Sequence, residues 1–201
     1  MVADIRIKID SKAVHDALHR LVAALPAGGD MTPTMASLGR VLKTGAQLRF
    51  RAEKTPEGTT WKKSWRATNE GGQTLSLTRR LRNSLSVTPG ASSVAVGTNV
   101  IYAAIHQFGG VIRAKKGPFL AIPMTGAARS AGSPRNMPGL GVAQSLKGQF
   151  MMVDGKTGTP HFLLKRQVTI PARPFLGASE DDKNELLRVL QVHYAAVWNR
   201  A

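Results

Sequence analysis

The chain has 201 residues, 42% of them hydrophobic and 20% charged, enough for one ordinary domain in which folding hides roughly 70% of the unfolded chain's surface. Lys and Arg number 28 against 12 Asp and Glu, a formal charge of +16, so polyanionic or acidic partners are expected. Cysteine is absent, which excludes disulfide scaffolds, Cys-based zinc sites, thiolate nucleophiles and thiol redox chemistry.

Ile5, Ile7 and Ile9 alternate with Arg6, Lys8 and Asp10, the period-2 pattern of a strand with one wet face and not the apolar core of a signal peptide. A helix is expected next, capped by Ser11, with Val14, Leu18, Leu21 and Leu25 as its stripe and Pro26 and Gly28-Gly29 as its stop. Thr32 as cap and Pro33 at the first helical position signal a second helix. Its buried side is expected to carry Met35, Leu38, Val41, Leu42, Leu48 and Phe50, with Arg40, Lys43, Arg49 and Arg51 turned to water. It ends by the turn Pro56-Glu57-Gly58.

A loop with Trp61 and Trp65 leads to a short helical segment on Leu77, Leu81 and Leu85, exposing Arg79, Arg80 and Arg82. Val94 and Val96 predict a short strand, and residues 101–108 one or two helical turns closed by Gly109-Gly110, where the backbone can turn as no side chain would allow. Residues 83–112 contain no Asp, Glu, Lys or Arg, yet Pro89, Gly90, Gly97, Asn99 and Gly109 interrupt them, which reads as buried core and not membrane. Residues 111–168 then change character, with dense Gly and Pro, a small-residue tract at 125–132, and strands expected at 119–122, 150–153 and 162–168. So few large apolar side chains between 125 and 149 predict a long arm or extended hairpin. Ser179 should cap a closing helix that opens on Glu180, Asp181 and Asp182 and buries Leu187, Leu190, Tyr194, Val197 and Trp198.

The charge is uneven. Between Glu70 and Asp154 there is no acidic residue, while Arg79, Arg80, Arg82, Arg113, Lys115, Lys116, Arg129, Arg135 and Lys147 occur. Six of these fall on the expected arm, which suits phosphate contact, docking on an acidic protein surface, or simple solvation.

Catalytic patterns are few. His15 and His19 stand at i and i+4 as in a zinc-protease helix, but with Asp16 for Glu and no third ligand at a meaningful spacing. Gly155-Lys156-Thr157 lacks the first glycine of a phosphate-binding loop, which would fall at Phe150. No Ser is followed three residues on by Lys, and no G-x-S-x-G elbow occurs. His106 could act as a base, but a structural place beside Phe108 is the better expectation. Stacking on single-stranded nucleic acid lacks aromatics, since only Phe119 and Phe150 lie near the arm's ends. No catalytic residue, metal or cofactor is therefore assigned.

Two blocks are more specific: Val96-Gly97-Thr98-Asn99 leading through Ile101-Tyr102-Ala103 to Ile105-His106-Gln107-Phe108-Gly109-Gly110, and Ile170-Pro171-Ala172-Arg173-Pro174-Phe175-Leu176-Gly177. With Phe50-Arg51, Pro56-Glu57-Gly58, Trp61, Leu77-Thr78, Leu81 and Ser84 in order, the chain resembles the virion morphogenesis family of tailed bacteriophages, the group of Mu-like G proteins and tail completion proteins. The resemblance covers most of the chain but not residues 126–149. It implies a non-enzymatic structural protein of the phage neck in the virion, made in the host cytoplasm. Such a protein would form a homo-oligomeric ring against connector and tail proteins, with double-stranded DNA passing nearby and no membrane.

The expected architecture is one α/β domain of α+β type over residues 1–201. A small mixed or antiparallel sheet packs with helices, residues 111–168 project as an arm or β-hairpin, and a helix closes the chain. Tyr102, His106, Gln107, Phe108, Arg173 and Phe175 are candidate subunit-interface residues. Pro171 and Pro174 fix the backbone around Arg173, whose planar fork suits a neighbour's carboxylate. Arg113, Lys115, Lys116, Arg129, Arg135 and Lys147 are the candidate basic contacts to partner or DNA. A nucleic-acid-binding protein that grips the phosphate backbone is the alternative function.

Overall fold

The computed structural model describes Lys12, His15, Asp16, His19, residues 30–115 and residues 117–198. The expected first strand and most of the first helix lie outside the described residues; Lys12, His15, Asp16 and His19 are helical. The chain divides into two compact units, one comprising Met1–Gly109 with Pro171–Ala201 and the other Gly110–Ile170. The fold is α+β, and every pairing among the described strands is antiparallel.

In the first unit, helix α1 (Thr32–Ala52) is the central element. Its amino end differs from the expected cap: Met31 occupies the cap position without a side-chain hydrogen bond, and Asp30 Oδ1 accepts from the Thr32 N–H at 2.9 Å. Helices α2 (Trp65–Asn69) and α3 (Arg80–Asn83) follow, then the hairpin β1 (Ser86–Pro89) and β2 (Val94–Gly97), helix α4 (Ala103–Phe108), and the long helix α6 (Glu180–Trp198) after the second unit. Leu81 and Leu85 are buried as expected, but α3 is a single turn that leaves Leu77 exposed.

Two apolar clusters fill this unit. Phe50, Trp61, Leu81, Leu85, Val96, Val100, Phe175 and Leu176 form the larger, and Met31, Met35, Leu38, Leu186 and Leu190 the smaller, on the α1 side of α6. Phe50 stands edge-on to Trp61 with ring centroids 5.5 Å apart, and 5.1 Å from Phe175, the offset geometry that aromatic quadrupoles favour. Gly39 and Gly45 let α1 approach its neighbours closely, since a Cβ at Gly39 would run into Val87 and Val94, and one at Gly45 into the Asp182 carboxylate.

The buried face of α1 corrects two expectations. Leu48 is 52% exposed, while Arg49 is only 6% exposed and forms an ion pair with buried Asp182 of α6. In α6, Asp182, Leu186 and Leu190 face inward and Leu187 is half-buried, so Leu190 lies inside as expected and Leu186 takes the place expected of Leu187. The side chains of Tyr194, Val197 and Trp198 lie outside the described residues.

The second unit contains strands β3 (Gly110–Arg113), β4 (Leu120–Pro123), β5 (Leu140–Gln144), β6 (Phe150–Asp154), β7 (Pro160–Lys165) and β8 (Gln167–Ile170), with helix α5 (Gly126–Ala131) and a 3-10 turn at Pro134–Asn136. Strands β3 and β8 pair with each other, and the other four form a sheet in the order β4-β7-β6-β5. The small-residue tract is therefore a helix, capped by Thr125 Oγ1, which accepts from the Ala128 N–H at 3.2 Å. Strand β5 was not expected, because Leu140-Gly141-Val142-Ala143-Gln144 offers only two large apolar residues. The expected strand over 162–168 is two strands, β7 and β8.

Cross-strand partners share a face of a sheet. Pro123, Phe162, Met152 and Val142 thus line one side of the four-stranded sheet, and Ile122, Leu163, Met151 and Ala143 the other. Among the described residues of this unit only Phe162 and Ala128 are fully buried; its other large apolar side chains are half-buried or exposed.

A candidate assembly surface

The two sequence blocks expected at a subunit contact meet inside the first unit through one side chain. Gln107 is 5% exposed. Its Oε1 accepts from the backbone N–H groups of Phe175 and Leu176, both at 3.0 Å, and its Nε2 donates to the Leu176 carbonyl at 3.0 Å. An amide side chain carries donors and an acceptor, so Gln107 clamps residues 175 and 176 through three hydrogen bonds.

Residues 171–177 are held further at three points. The Arg173 N–H donates to the His106 carbonyl at 2.7 Å, Trp61 Nε1 donates to the Pro174 carbonyl at 3.1 Å, and Arg49 Nη1 donates to the Phe175 carbonyl at 3.2 Å. Arg49 thereby links α1, this segment and Asp182. Asp182 in turn receives the Ser179 N–H at 2.9 Å while Ser179 Oγ receives the Asp182 N–H at 3.2 Å, a reciprocal cap in which an Asp fills the third helical position. Burial lowers the pKa of the Arg49 guanidinium and the Asp182 charge opposes that shift.

These contacts place Arg173 and Phe175 inside the first unit. Arg173 is 5% exposed, its Nε donating to the Lys62 carbonyl at 2.8 Å, and Phe175 is completely buried. Both side chains, with that of Gln107, are buried in the first unit and brace it from inside. Tyr102 and Phe108 instead reach the surface at the two ends of α4, with Ile101 beside Tyr102; Phe108 is 65% exposed and Ile101 78%. The half-buried His106 ring lies edge-on to Tyr102 at 5.9 Å, and its Nδ1 is buried without a hydrogen-bond partner. Burial, and then the charge of Arg173, push the His106 pKa below its ordinary 6.5.

Of the expected basic contacts, Arg113, Lys115, Arg135 and Lys147 are exposed and Arg129 is half-buried. Lys116 lies outside the described residues. Arg113 Nε donates to Gln167 Oε1 across the β3–β8 pair at 3.2 Å. Lys156, Lys165 and Arg166 add to this set, and the whole unit holds one acidic residue, Asp154, against nine basic ones.

His15 and His19 face each other with their Nε2 atoms 3.1 Å apart, and among the described residues no three metal-binding side chains cluster. A shallow hollow of about 360 Å³ over β1 and β2 is lined by residues without titratable side chains, among them Ser86, Thr88, Val94 and Thr98. No described helix is long and apolar enough to cross a membrane.

Sequence reasoning missed Arg49 and Asp182, the buried pair that fixes residues 171–177 to both long helices. The available signal was positional: Arg49 follows Ala46 by three residues and Leu38 by eleven, placing it on the apolar stripe of α1.

No curated protein and no solved structure matches the chain. A sequence profile of the phage virion morphogenesis family matches residues 9–143, which takes in α1, the β1–β2 hairpin, α4 with Tyr102 to Phe108, and the second unit as far as β5. With that match over two thirds of its length, the chain belongs to the phage virion morphogenesis family, and its role is a structural one in the virion alongside other phage structural proteins.

Proposed function

We propose that this protein joins head to tail in the phage neck, as a ring of identical subunits seated between connector and tail proteins, without catalysis. The observation that carries this reading is the exposure of Ile101, Tyr102 and Phe108 at the ends of a helix that Gln107 locks to the core. Large apolar groups on a rigid element and open to water are the usual anchors of a protein–protein interface. Family membership supports a virion partner for them.

The paired change Tyr102→Ser and Phe108→Ser tests it. The variant should fold, because both side chains lie outside the buried core, yet complementation of a deletion phage should yield separate heads and tails by electron microscopy. Normal numbers of joined particles, or absence of the wild-type protein from purified virions, would overturn the reading.

The second unit supports another contact. Nine basic residues against one acidic suit the phosphate backbone of double-stranded DNA. In that case log K should fall with log salt at a slope of several units, about 0.9 for each phosphate neutralised.

A further inference from the structure

The four-stranded sheet of the second unit has two edges of different character. Strand β4 is blunted, since it ends on Pro123, follows Pro118 closely and has α5 packed against it. Strand β5 carries none of the usual protections of an edge, namely proline, a charged side chain or a bulge; its register with β6 is continuous from Leu140 to Gln144.

Two hydrogen bonds fix which way its backbone points. Gly155 N–H donates to the Gly139 carbonyl at 2.9 Å, and Ser145 N–H to the Gln149 carbonyl at 2.8 Å. Antiparallel ladders alternate, so residues 139, 141, 143 and 145 bond to β6, and Leu140, Val142 and Gln144 direct their N–H and C=O groups outward. A row of alternating donors and acceptors about 17 Å long is thus open to solvent.

Cations stand at both ends of that row. Arg135 precedes β5 and Lys156 sits in the β6–β7 turn held against Gly139, while Lys147 lies in the β5–β6 turn; all three are exposed. The one carboxylate of the unit, Asp154, is taken up internally by the Lys156 N–H at 3.0 Å, the Thr157 N–H at 2.7 Å and the Thr157 hydroxyl at 3.0 Å.

We propose that β5 receives an extended segment of another protein as a fifth strand, with acidic residues at both ends of that segment meeting Arg135, Lys156 and Lys147. A peptide backbone matches both the outward N–H and the outward C=O groups. Phosphate oxygens accept only, and would leave the carbonyls of Leu140, Val142 and Gln144 facing like partial charge. A second copy pairing β5 to β5 would bring together two units with nine basic residues and one acidic residue each. Edge pairing depends on β5 and the cations around it and not on Ile101, Tyr102 or Phe108, so its failure would leave the neck assignment, read by particle joining, standing.

The test uses the full chain with the capped peptide Asp-Thr-Val-Thr-Val-Glu, its Lys-ended counterpart, and the acidic peptide N-methylated at alternate residues. The acidic peptide should bind in NMR titration and slow hydrogen exchange at the Leu140, Val142 and Gln144 amides, while the other two bind at least about tenfold more weakly. Val142→Pro removes an outward N–H without touching the β5–β6 ladder and should weaken binding by a similar factor; if that variant misfolds, the N-methylated peptide gives the same reading. Several outcomes would overturn the proposal. They are no binding at millimolar peptide, equal binding of all three peptides, protection of those amides by a DNA duplex instead, and self-association that Val142→Pro abolishes.

Discussion

The two units differ in what orders them. Of the eighteen fully buried apolar residues among those described, sixteen belong to the unit built on α1 and α6, and two, Ala128 and Phe162, to residues 110–170. The buried polar groups follow the same division, since Thr34, Arg49, Thr74, Thr98, Gln107, Arg173 and Asp182 all lie in the first unit. That unit is fixed twice, by apolar packing and by side chains that bond backbone groups far away in sequence. The second rests on backbone ladders, the local hairpins β5–β6 and β6–β7 and the long-range pairs β3–β8 and β4–β7, with half-buried side chains on both sheet faces and positive charge opposed by a single carboxylate. Stability need not be uniform in one chain, and here the region with the least core also carries the least compensated charge and the most open sheet edge.

The largest expected effect falls on the first unit. Asp182→Ala would leave the Arg49 guanidinium buried without its partner, which costs about 3–5 kcal/mol, a large share of the roughly 5–15 kcal/mol that holds a typical domain. Denaturant unfolding followed by Trp61 fluorescence should show it. The double change Arg49→Met with Asp182→Leu should recover much of the loss, because an apolar pair of similar bulk needs no charge compensation. A loss below about 1 kcal/mol for the single change would mean the pair is solvated, and the first unit would then lose its claim to being doubly fixed.

A smaller and more local effect is expected from Phe162→Ala. It removes the only large, fully buried side chain among the described residues of the second unit, a change that costs about 3 kcal/mol in an ordinary core. Hydrogen exchange should speed up for the amides of β4, β6 and β7 while those of α1 and α6 keep their protection. Equal loss in both sets would show that the two units unfold as one and would abolish the contrast.

Elements governed by local rules were legible in the sequence. The span of α1, the β2 strand, the turns at 101–108, strands β4 and β6, and the Ser179 cap follow from periodicity, proline and glycine placement, and short polar caps. The elements that failed to show were those whose support lies outside their own composition. Strand β5 has a composition no alternation rule selects, and exists because β6 offers it a ladder partner. Arg49 was assigned to water because arginine is rarely buried, and its partner lies 133 residues away. Arg173 is expected at a contact for its planar fork, whereas in the fold its Nε donates to the Lys62 carbonyl and the side chain is buried. Tyr102 and Phe108 belong to a motif visible in the sequence, whereas which of its members face outward depends on Gln107, whose three hydrogen bonds are invisible without the fold.

The smallest effect concerns acid. His106 is half-buried in the first unit, its Nδ1 has no partner, and its pKa is pushed below 6.5 by burial and then by Arg173. In the unfolded chain the same ring takes up its proton near pH 6.5. Between that value and the lower folded pKa the unfolded state therefore binds more protons than the native one, and stability falls as the pH drops through the window. The loss stops growing once the native ring is protonated as well. His106→Gln removes the titration while keeping a polar side chain of similar reach, so the wild-type and variant stability curves, measured by Trp61 fluorescence between about pH 7.5 and 5, where carboxylates stay ionised, should converge on acidification. Parallel curves would mean that the native ring accepts its proton as freely as the unfolded one, and that the space around Nδ1 is wetter than the packing of Tyr102 and Arg173 implies.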